Sequence, residues 1–194
     1  MEETADGDPA DGEPTTEEPA AEEEEESTGF VSLLTNEEVS EELTNVRPVA
    51  IMIEDTTMAL PHYGISKAGI IYECPAEGGI TRMMALFDDY SDMDRIGNVR
   101  SCRPYFAYFA YEHDAIYLHY GQSVHGAQAL QELKIDGLNG LDGDMTIVYY
   151  RSSDRKAPHN AYTSTDGINA GIEKRGFRTT HEEGSAYADG HFKF

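Results

Sequence analysis

The first 42 residues contain no lysine and no arginine, although they contain 17 aspartates and glutamates. The other 152 residues contain 20 acids and 14 lysines and arginines, so this larger part of the chain is only mildly acidic. A domain without an excess of basic residues is a poor candidate for binding nucleic acid, whose phosphates dominate affinity. The sequence also contains no apolar run long enough to cross a membrane and no signal-peptide pattern.

Cysteine is scarce, and no complete cofactor motif is present. Cys74 and Cys102 lack CxxC spacing and a nearby cluster of cysteine and histidine, which argues against zinc. Two buried thiols, a single disulfide and a reactive thiol all remain open for this pair. The glycine-rich residues 137–143 lack the lysine and hydroxyl of a P-loop, and the acidic residues 88–98 lack the pattern of an EF-hand. We therefore expect neither a cofactor nor a metal.

Composition divides the chain into a polar head and a globular part. Residues 1–29 contain no apolar side chain larger than alanine after Met1, which predicts a disordered acidic linker. Residues 30–46 are the first with apolar content, and Asn36 is a plausible N-cap for a helical turn followed by acids. This segment is expected to be a short helical lead-in to the domain.

The pattern of the globular part predicts an α/β fold. Short apolar runs indicate strands at residues 49–53, 69–74, 80–87, 115–119 and 145–150. Helical spacing with caps indicates helices at 103–113, 124–134 and 166–175, with Ser123 as the N-cap of the second. Gly78 and Gly79 can take positive φ, so the second and third strands should form a β-hairpin that places Glu73 and Arg82 on neighbouring strands. We expect a mixed sheet of five or more strands, flanked by about three helices.

Five charged residues interrupt runs that otherwise look buried: Glu73, Glu77, Arg82, Arg100 and Arg103. A buried charge is costly unless it is paired or meets a ligand. The segment RSCRP, which includes Ser101, lies where a helix should begin, and guanidinium groups beside a helix N-terminus would form an anion site. Internal ion pairs between these arginines and the two glutamates would explain the same residues.

Two histidines are candidate acid–base groups. His119 ends a predicted strand, where a hydrogen-bonded residue at the edge of the core is the simpler interpretation, and His159 lies with Asn160 in a polar loop. No serine lies in a GxSxG motif, and Cys102 has no obvious histidine partner in sequence. His159 is therefore the better candidate for catalysis, and Asn160 is a candidate for binding a ligand.

Several segments, in the same order along the chain, carry a resemblance to a known family. They are RPVAIMIEDTTMALPHYGISKAGIIYE, EGGITR, GNVRSCRP, HDAIYLHYGQS and APHNAY. With these motifs, residues 47–180 resemble the N-terminal domain of the DUF3048 family of Gram-positive bacteria. The resemblance implies a lipoprotein with a lipid-modified cysteine, a low-complexity linker, this domain and a smaller C-terminal domain. Residues 181–194 would then be a tail or the start of that second domain.

The resemblance implies a place in the cell but no established reaction. The expected location is the extracellular face of the cytoplasmic membrane, reached only through a lipid anchor that this sequence does not include. The expected function is binding of an anionic cell-wall polymer or an envelope protein through the arginine, glutamate and histidine side chains. A hydrolase or transferase acting on an anionic envelope substrate, with His159 as acid–base, and a scaffold held by internal ion pairs are the alternatives.

Overall fold

The computed structural model describes residues 29–183 and contains, within that range, eight strands and three α-helices. The strands are β1 Val49–Asp55, β2 Ile70–Pro75, β3 Thr81–Phe87, β4 Ile96–Gly97, β5 Ile116–His119, β6 Gly137–Asn139, β7 Tyr150–Arg151 and β8 Ala161–Thr163. The helices are α1 Pro104–Glu112, α2 Val124–Leu133 and α3 Thr165–Arg175. Five strands form one sheet in the order β2-β3-β1-β5-β6, and three short strands form a second sheet in the order β4-β8-β7. The predicted α/β class is confirmed.

β1 is the central strand of the larger sheet. Its residues from Val49 to Glu54 are buried, as its nearly continuous apolar sequence predicts for a strand covered on both faces. It pairs antiparallel with β3 and parallel with β5. β5 and β6 are also parallel and are joined through α2, so the second strand of this strand–helix–strand unit is β6 and not the strand predicted at residues 145–150.

β2 and β3 form the predicted hairpin, and their register decides which charges meet. Cys74 lies opposite Arg82, and Glu73 lies opposite Met83. On its other side, Arg82 is the direct partner of Glu54 in β1. Because side chains alternate between the two faces of a strand, Arg82 shares a face with Glu54 and not with Glu73.

Helices cover both faces of the larger sheet. α1 and α2 pack on one face through residues that include Phe106, Ala110 and Ala129. α3 packs on the other face through Ile168 and Ile172. The N-cap of α2 is present, since the hydroxyl of Ser123 accepts a hydrogen bond from the amide of Gly126.

The fifth strand of the main sheet is β6, and the prediction of a strand at residues 145–150 was wrong. Residues Met145–Ile147 form a turn of 3₁₀-helix, and only Tyr150 enters a strand. Met145, Val148 and Tyr149 are buried, and Ile147 is exposed. This spacing of three and four is helical, whereas a strand would bury alternate residues.

The lead-in differs from its prediction. Asn36 is not a helix N-cap, because it has a φ of 60° beside a bridge between Val31 and Glu38. The helical turn occurs later, at Glu41–Leu43, after Ser40. Of the linker predicted at residues 1–29, residues 1–28 lie outside the described residues, and so do residues 184–194 of the predicted tail or start of a second domain at 181–194. Within residues 29–183, no helix is both long and apolar enough to cross a membrane.

Candidate functional site

A segment between β4 and α1 brings charged side chains to the ends of two parallel strands. Val99 forms a bridge with Ile53 of β1. The amide of Arg100 donates to the carbonyl of Met52 at 3.0 Å, and the carbonyl of Arg100 accepts from the amide of Tyr120 at 2.9 Å. This segment therefore lies between the carboxyl ends of β1 and β5, a position where α/β sheets commonly bind ligands.

Six charged or titratable side chains meet at this position. We call them the Glu54 cluster; its members are Glu54, Glu77, Arg82, Arg100, Arg103 and His159. Glu54 is only 2% exposed. Its Oε1 lies 2.6 Å from Nδ1 of His159, and its Oε2 lies 3.7 Å from Nε of Arg100. A buried carboxylate of this kind holds a histidine as the Nδ1–H tautomer and leaves Nε2 as the nitrogen that can accept a proton.

Arg82 is the most deeply buried arginine of the cluster, with 3% exposure. Its Nη1 donates to the carbonyl of Ser101 at 3.1 Å. Burial lowers the pKa of Arg82, and the nearby charges of Arg103 and Arg100 lower it further. The guanidinium of Arg82 thus lies near other cations, and the charges of Glu77 and Glu54 offset them in part.

Arg103 lies at the N-cap of α1 and forms a two-point ion pair with Glu77. Nε of Arg103 lies 2.5 Å from Oε1 of Glu77, and Nη2 lies 2.6 Å from Oε2. The hydrogen bonds from Arg103 are the largest cause of a lowered pKa of Glu77, which is about 2. Glu77 is carried by the hairpin turn, and its side chain is 66% exposed.

The cluster carries more positive than negative charge and has unused hydrogen-bonding groups. Three guanidinium groups face two carboxylates. Nε of Arg82, Nε of Arg100 and Oε2 of Glu54 are buried and have no hydrogen-bond partner among residues 29–183. Buried donors without partners are costly, and an oxygen-rich anion would satisfy them.

The loop that carries His159 is tied to Arg100 and to its own backbone. Nη1 of Arg100 donates to the carbonyl of Pro158 at 3.2 Å. Asn160 is buried; its Oδ1 accepts from Arg151 at 2.7 Å and its Nδ2 donates to the carbonyl of Ser152 at 2.9 Å. These contacts give Asn160, a candidate ligand-binding residue, a role in holding the loop.

Three other candidate residues do not present side chains to the cluster. Glu73 lies on the opposite face of the hairpin, as its register with Met83 requires. The hydroxyl of Ser101 donates to the carbonyl of Tyr120 at 3.0 Å, so Ser101 contributes to the cluster through its own carbonyl. His119 is buried, with Nδ1 2.8 Å from the carbonyl of Gly121.

The burial of His119 also affects its protonation. Burial lowers the pKa of His119, against smaller opposing effects of the Gly121 carbonyl and of Asp142. A buried histidine held in its neutral form by the fold is a structural residue. Of the two candidate acid–base groups, only His159 therefore belongs to the Glu54 cluster.

Sequence reasoning did not assign Glu54 or Asn98 to the site. Glu54 was visible as an acid at the end of an apolar strand, but its partners are distant in sequence. Asn98 is fully buried; its Nδ2 donates to the hydroxyl of Tyr162 at 2.9 Å and to the carbonyl of His159, and its Oδ1 accepts from Arg155 at 2.9 Å. Through these hydrogen bonds, Asn98 holds the loop that carries His159 in place.

The cysteines do not contribute a reactive group to the cluster. Both are free thiols, with Cys102 buried and Cys74 partly buried. Burial raises the pKa of Cys102 to about 11, so its thiol stays protonated at neutral pH. Among the described residues, no group of three or more His, Cys, Asp and Glu side chains is placed to hold a metal ion.

Known proteins share the sequence pattern and the fold of this domain. Residues 34–178 match the family described as "Protein of unknown function (DUF3048) N-terminal domain". The chain is 37% identical over 149 residues to "Putative lipoprotein YerB" of Bacillus subtilis (strain 168), covering 77% of this chain and 44% of that protein. The crystal structure of YerB from Bacillus subtilis superimposes with a TM-score of 0.73 at 36% identity, covering 79% of this chain and 52% of that one.

The chain thus spans less than half the length of the curated relative that it matches. The family match nevertheless covers most of this chain and includes every residue of the Glu54 cluster. On the strength of this match and of the shared fold, the chain belongs to the DUF3048 family, of which it contains the N-terminal domain.

Proposed function

We propose that this domain is a binding domain of a lipid-anchored protein of the cell envelope, and that the Glu54 cluster binds an anionic group of an envelope component. The observation that carries the proposal is the excess of guanidinium groups, with the buried Nε atoms of Arg82 and Arg100 lacking hydrogen-bond partners among the described residues. A ligand oxygen would supply the missing acceptor, and its charge would offset the mutual repulsion of the arginines.

Two further facts support this function. The start of α1 lies directly beside the cluster, because Arg103 is its N-cap, and backbone amides at a helix N-terminus favour anions. The location is supported by the name of the relative YerB, which describes a lipoprotein. An anchored protein with such a cluster of guanidinium groups would meet carboxylate and phosphate groups of cell-wall polymers at the membrane surface.

The test is a thermal-shift and calorimetric screen of the wild-type chain against acetate, inorganic phosphate, glycerol phosphate, uronic acids and short peptides. A ligand present at a hundred times its Kd should raise the free energy of unfolding by about 2.7 kcal/mol. Arg100→Ala should abolish the shift, and circular dichroism should confirm that the variant is folded. Arg103→Ala serves as the second variant if Arg100→Ala does not fold.

Arg175→Ala is the matched control, because Arg175 is an arginine of α3 that pairs with Asp142 and Asp144 outside the cluster. Its ligand shift should equal that of the wild type. Binding that survives in folded Arg100→Ala, or that is lost equally in Arg175→Ala, would overturn the proposal. Ion pairs that only stabilise the fold would then explain the cluster.

The 2.6 Å contact between Glu54 and His159 favours a second candidate, hydrolysis of an anionic envelope substrate. In this reaction Nε2 of His159 would take a proton from water while the water oxygen attacks a carbonyl or phosphoryl group, and the arginines would hold the substrate anion. The proton would then pass to the leaving group as its bond breaks. A ligand found in the screen would be incubated with wild type and with His159→Gln. Turnover lost in the variant while binding persists would establish catalysis, and an intact ligand with wild type would exclude it.

A further inference from the structure

The pair formed by Glu77 and Arg103 has the geometry of a bound ligand. Both carboxylate oxygens of Glu77 accept hydrogen bonds from two nitrogens on one edge of the guanidinium, at 2.5 and 2.6 Å. This two-point arrangement is the one by which arginine recognises a carboxylate. Nη1 of the same guanidinium donates to the carbonyl of Cys102 at 2.9 Å, which fixes the orientation of the guanidinium.

The turn that carries Glu77 offers little resistance to movement. Gly78 and Gly79 follow Glu77 with φ values of 74° and 75°, and a Cβ built on either glycine would meet no atom within 4 Å. The base of the turn is closed by a hydrogen bond of 2.7 Å from the amide of Ala76 to the carbonyl of Ile80. Glu77 thus lies on a solvent-exposed turn that has a defined base and no packing around its two glycines.

The two acids of the cluster differ in whether a ligand can displace their side chains. Glu54 is buried within β1 and is held by His159 and by the hydroxyl of Thr56 at 3.0 Å, so it is a permanent part of the site. The side chain of Glu77 is mostly exposed, while that of its partner Arg103 is largely covered. Its two-point geometry makes this pair stronger than a typical surface ion pair, but the exposure of Glu77 leaves its carboxylate open to exchange with other anions.

We propose that Glu77 occupies the place of a ligand carboxylate, and that the ligand of the Glu54 cluster binds by displacing Glu77 and presenting its own carboxylate to Arg103. The inference rests on the proposed anion-binding function and names the class of ligand. A carboxylate that replaces Glu77 reproduces both hydrogen bonds that Arg103 makes to Glu77. In addition, other polar groups of the ligand lie beside the guanidinium of Arg100, whose side chain is partly exposed.

The test compares wild type with Glu77→Gln and with the control Glu73→Gln, which alters an exposed acid on the opposite face of the same hairpin. The probes are an N-acetylated dipeptide with a free C-terminal carboxylate, the same dipeptide with an amidated C-terminus, glucuronate and glycerol phosphate. Calorimetry should show that Glu77→Gln binds a carboxylate probe about three- to fivefold more tightly than wild type, the factor by which an exposed ion pair competes. Glu73→Gln should bind as wild type does, and the amidated dipeptide should not bind.

A preference for the dipeptide would identify a peptide as the source of the carboxylate, and a preference for glucuronate would identify an acidic saccharide. Equal or weaker binding by Glu77→Gln, or a preference for glycerol phosphate in every variant, would overturn the inference. So would the absence of binding by any carboxylate probe. In each of these cases the proposed function stands if Arg100→Ala abolishes phosphate binding, and it falls with the inference if Arg100→Ala changes nothing.

Discussion

Oε1 of Glu54 lies 2.6 Å from Nδ1 of His159, although 105 residues separate the two along the chain. The carboxylate lies near the end of β1, and the imidazole lies in the polar loop between β7 and β8. The segment of Arg100 lies beside β1 and adds a guanidinium 3.7 Å from the other carboxylate oxygen. A single buried acid therefore connects the central strand, the entry to α1 and the loop before β8.

The charge of Glu54 should be essential for stability. We expect Glu54→Gln to lower the free energy of unfolding by about 3 kcal/mol, because Arg82 and Arg100 would lose the carboxylate that compensates their buried charges. Urea denaturation followed by circular dichroism measures the change. Glu73→Gln, on the opposite face, should alter the same quantity by no more than about 0.5 kcal/mol. A Glu54→Gln protein as stable as wild type would contradict the assigned role.

The domain should lose stability in acid because of Asp114. Burial opposes ionisation of this carboxyl, but hydrogen bonds from His181 and Arg178 and the charge of Arg47 outweigh it and lower its pKa from 3.8 to about 2. Because the folded pKa is lower than the unfolded pKa, this contribution is complete above about pH 4 and is lost as the pH falls toward 2. The expected loss is about 2 kcal/mol.

Urea denaturation of wild type and Asp114→Asn at pH 6, 4 and 2.5 checks this dependence. The variant should be less stable at pH 6 and should lose less between pH 6 and pH 2.5. Asp166→Asn, which alters an exposed acid in the first turn of α3, should follow the wild-type curve. Parallel curves for wild type and Asp114→Asn would refute the role of Asp114.

His119 should contribute a second pH dependence, at higher pH. Burial lowers its pKa in the folded state, so its contribution is complete above the unfolded pKa of about 6.5 and is lost as the pH falls below that value. We expect the Tm of wild type to fall between pH 7 and pH 5, and that of His119→Gln to fall less. Differential scanning calorimetry measures both. An identical slope in the two proteins would show that His119 is not the group responsible.

The two cysteines should differ in their reaction with a thiol reagent. Cys74 is partly buried, whereas Cys102 is buried and its pKa is raised to about 11. Absorbance with an aromatic disulfide reagent at pH 8 should therefore report one thiol per folded chain and a second only after unfolding. Cys74→Ser should remove the fast phase, and Cys102→Ser should preserve it. Fast labelling of Cys102 in the folded protein would contradict its burial.

Local patterns in the sequence were sufficient for most elements of the fold. The apolar run of β1, the glycines of the β2–β3 turn and the serine cap of α2 each depend on neighbouring residues, so their predictions were confirmed. The strand predicted at residues 145–150 failed because short apolar runs do not distinguish a strand from a helical turn. β6 was missed because its three residues acquire strand structure only by pairing with β5.

The sequence by itself determined that arginines and acids interrupt a buried framework near the start of α1, because such charges stand out against apolar neighbours. Only the tertiary structure decided their partners. The antiparallel register of β1 and β3 places Glu54, and not Glu73, beside Arg82, since a shift of one residue moves a side chain to the other face. Long-range pairing of this kind depends on the whole sheet, and no local pattern contains it.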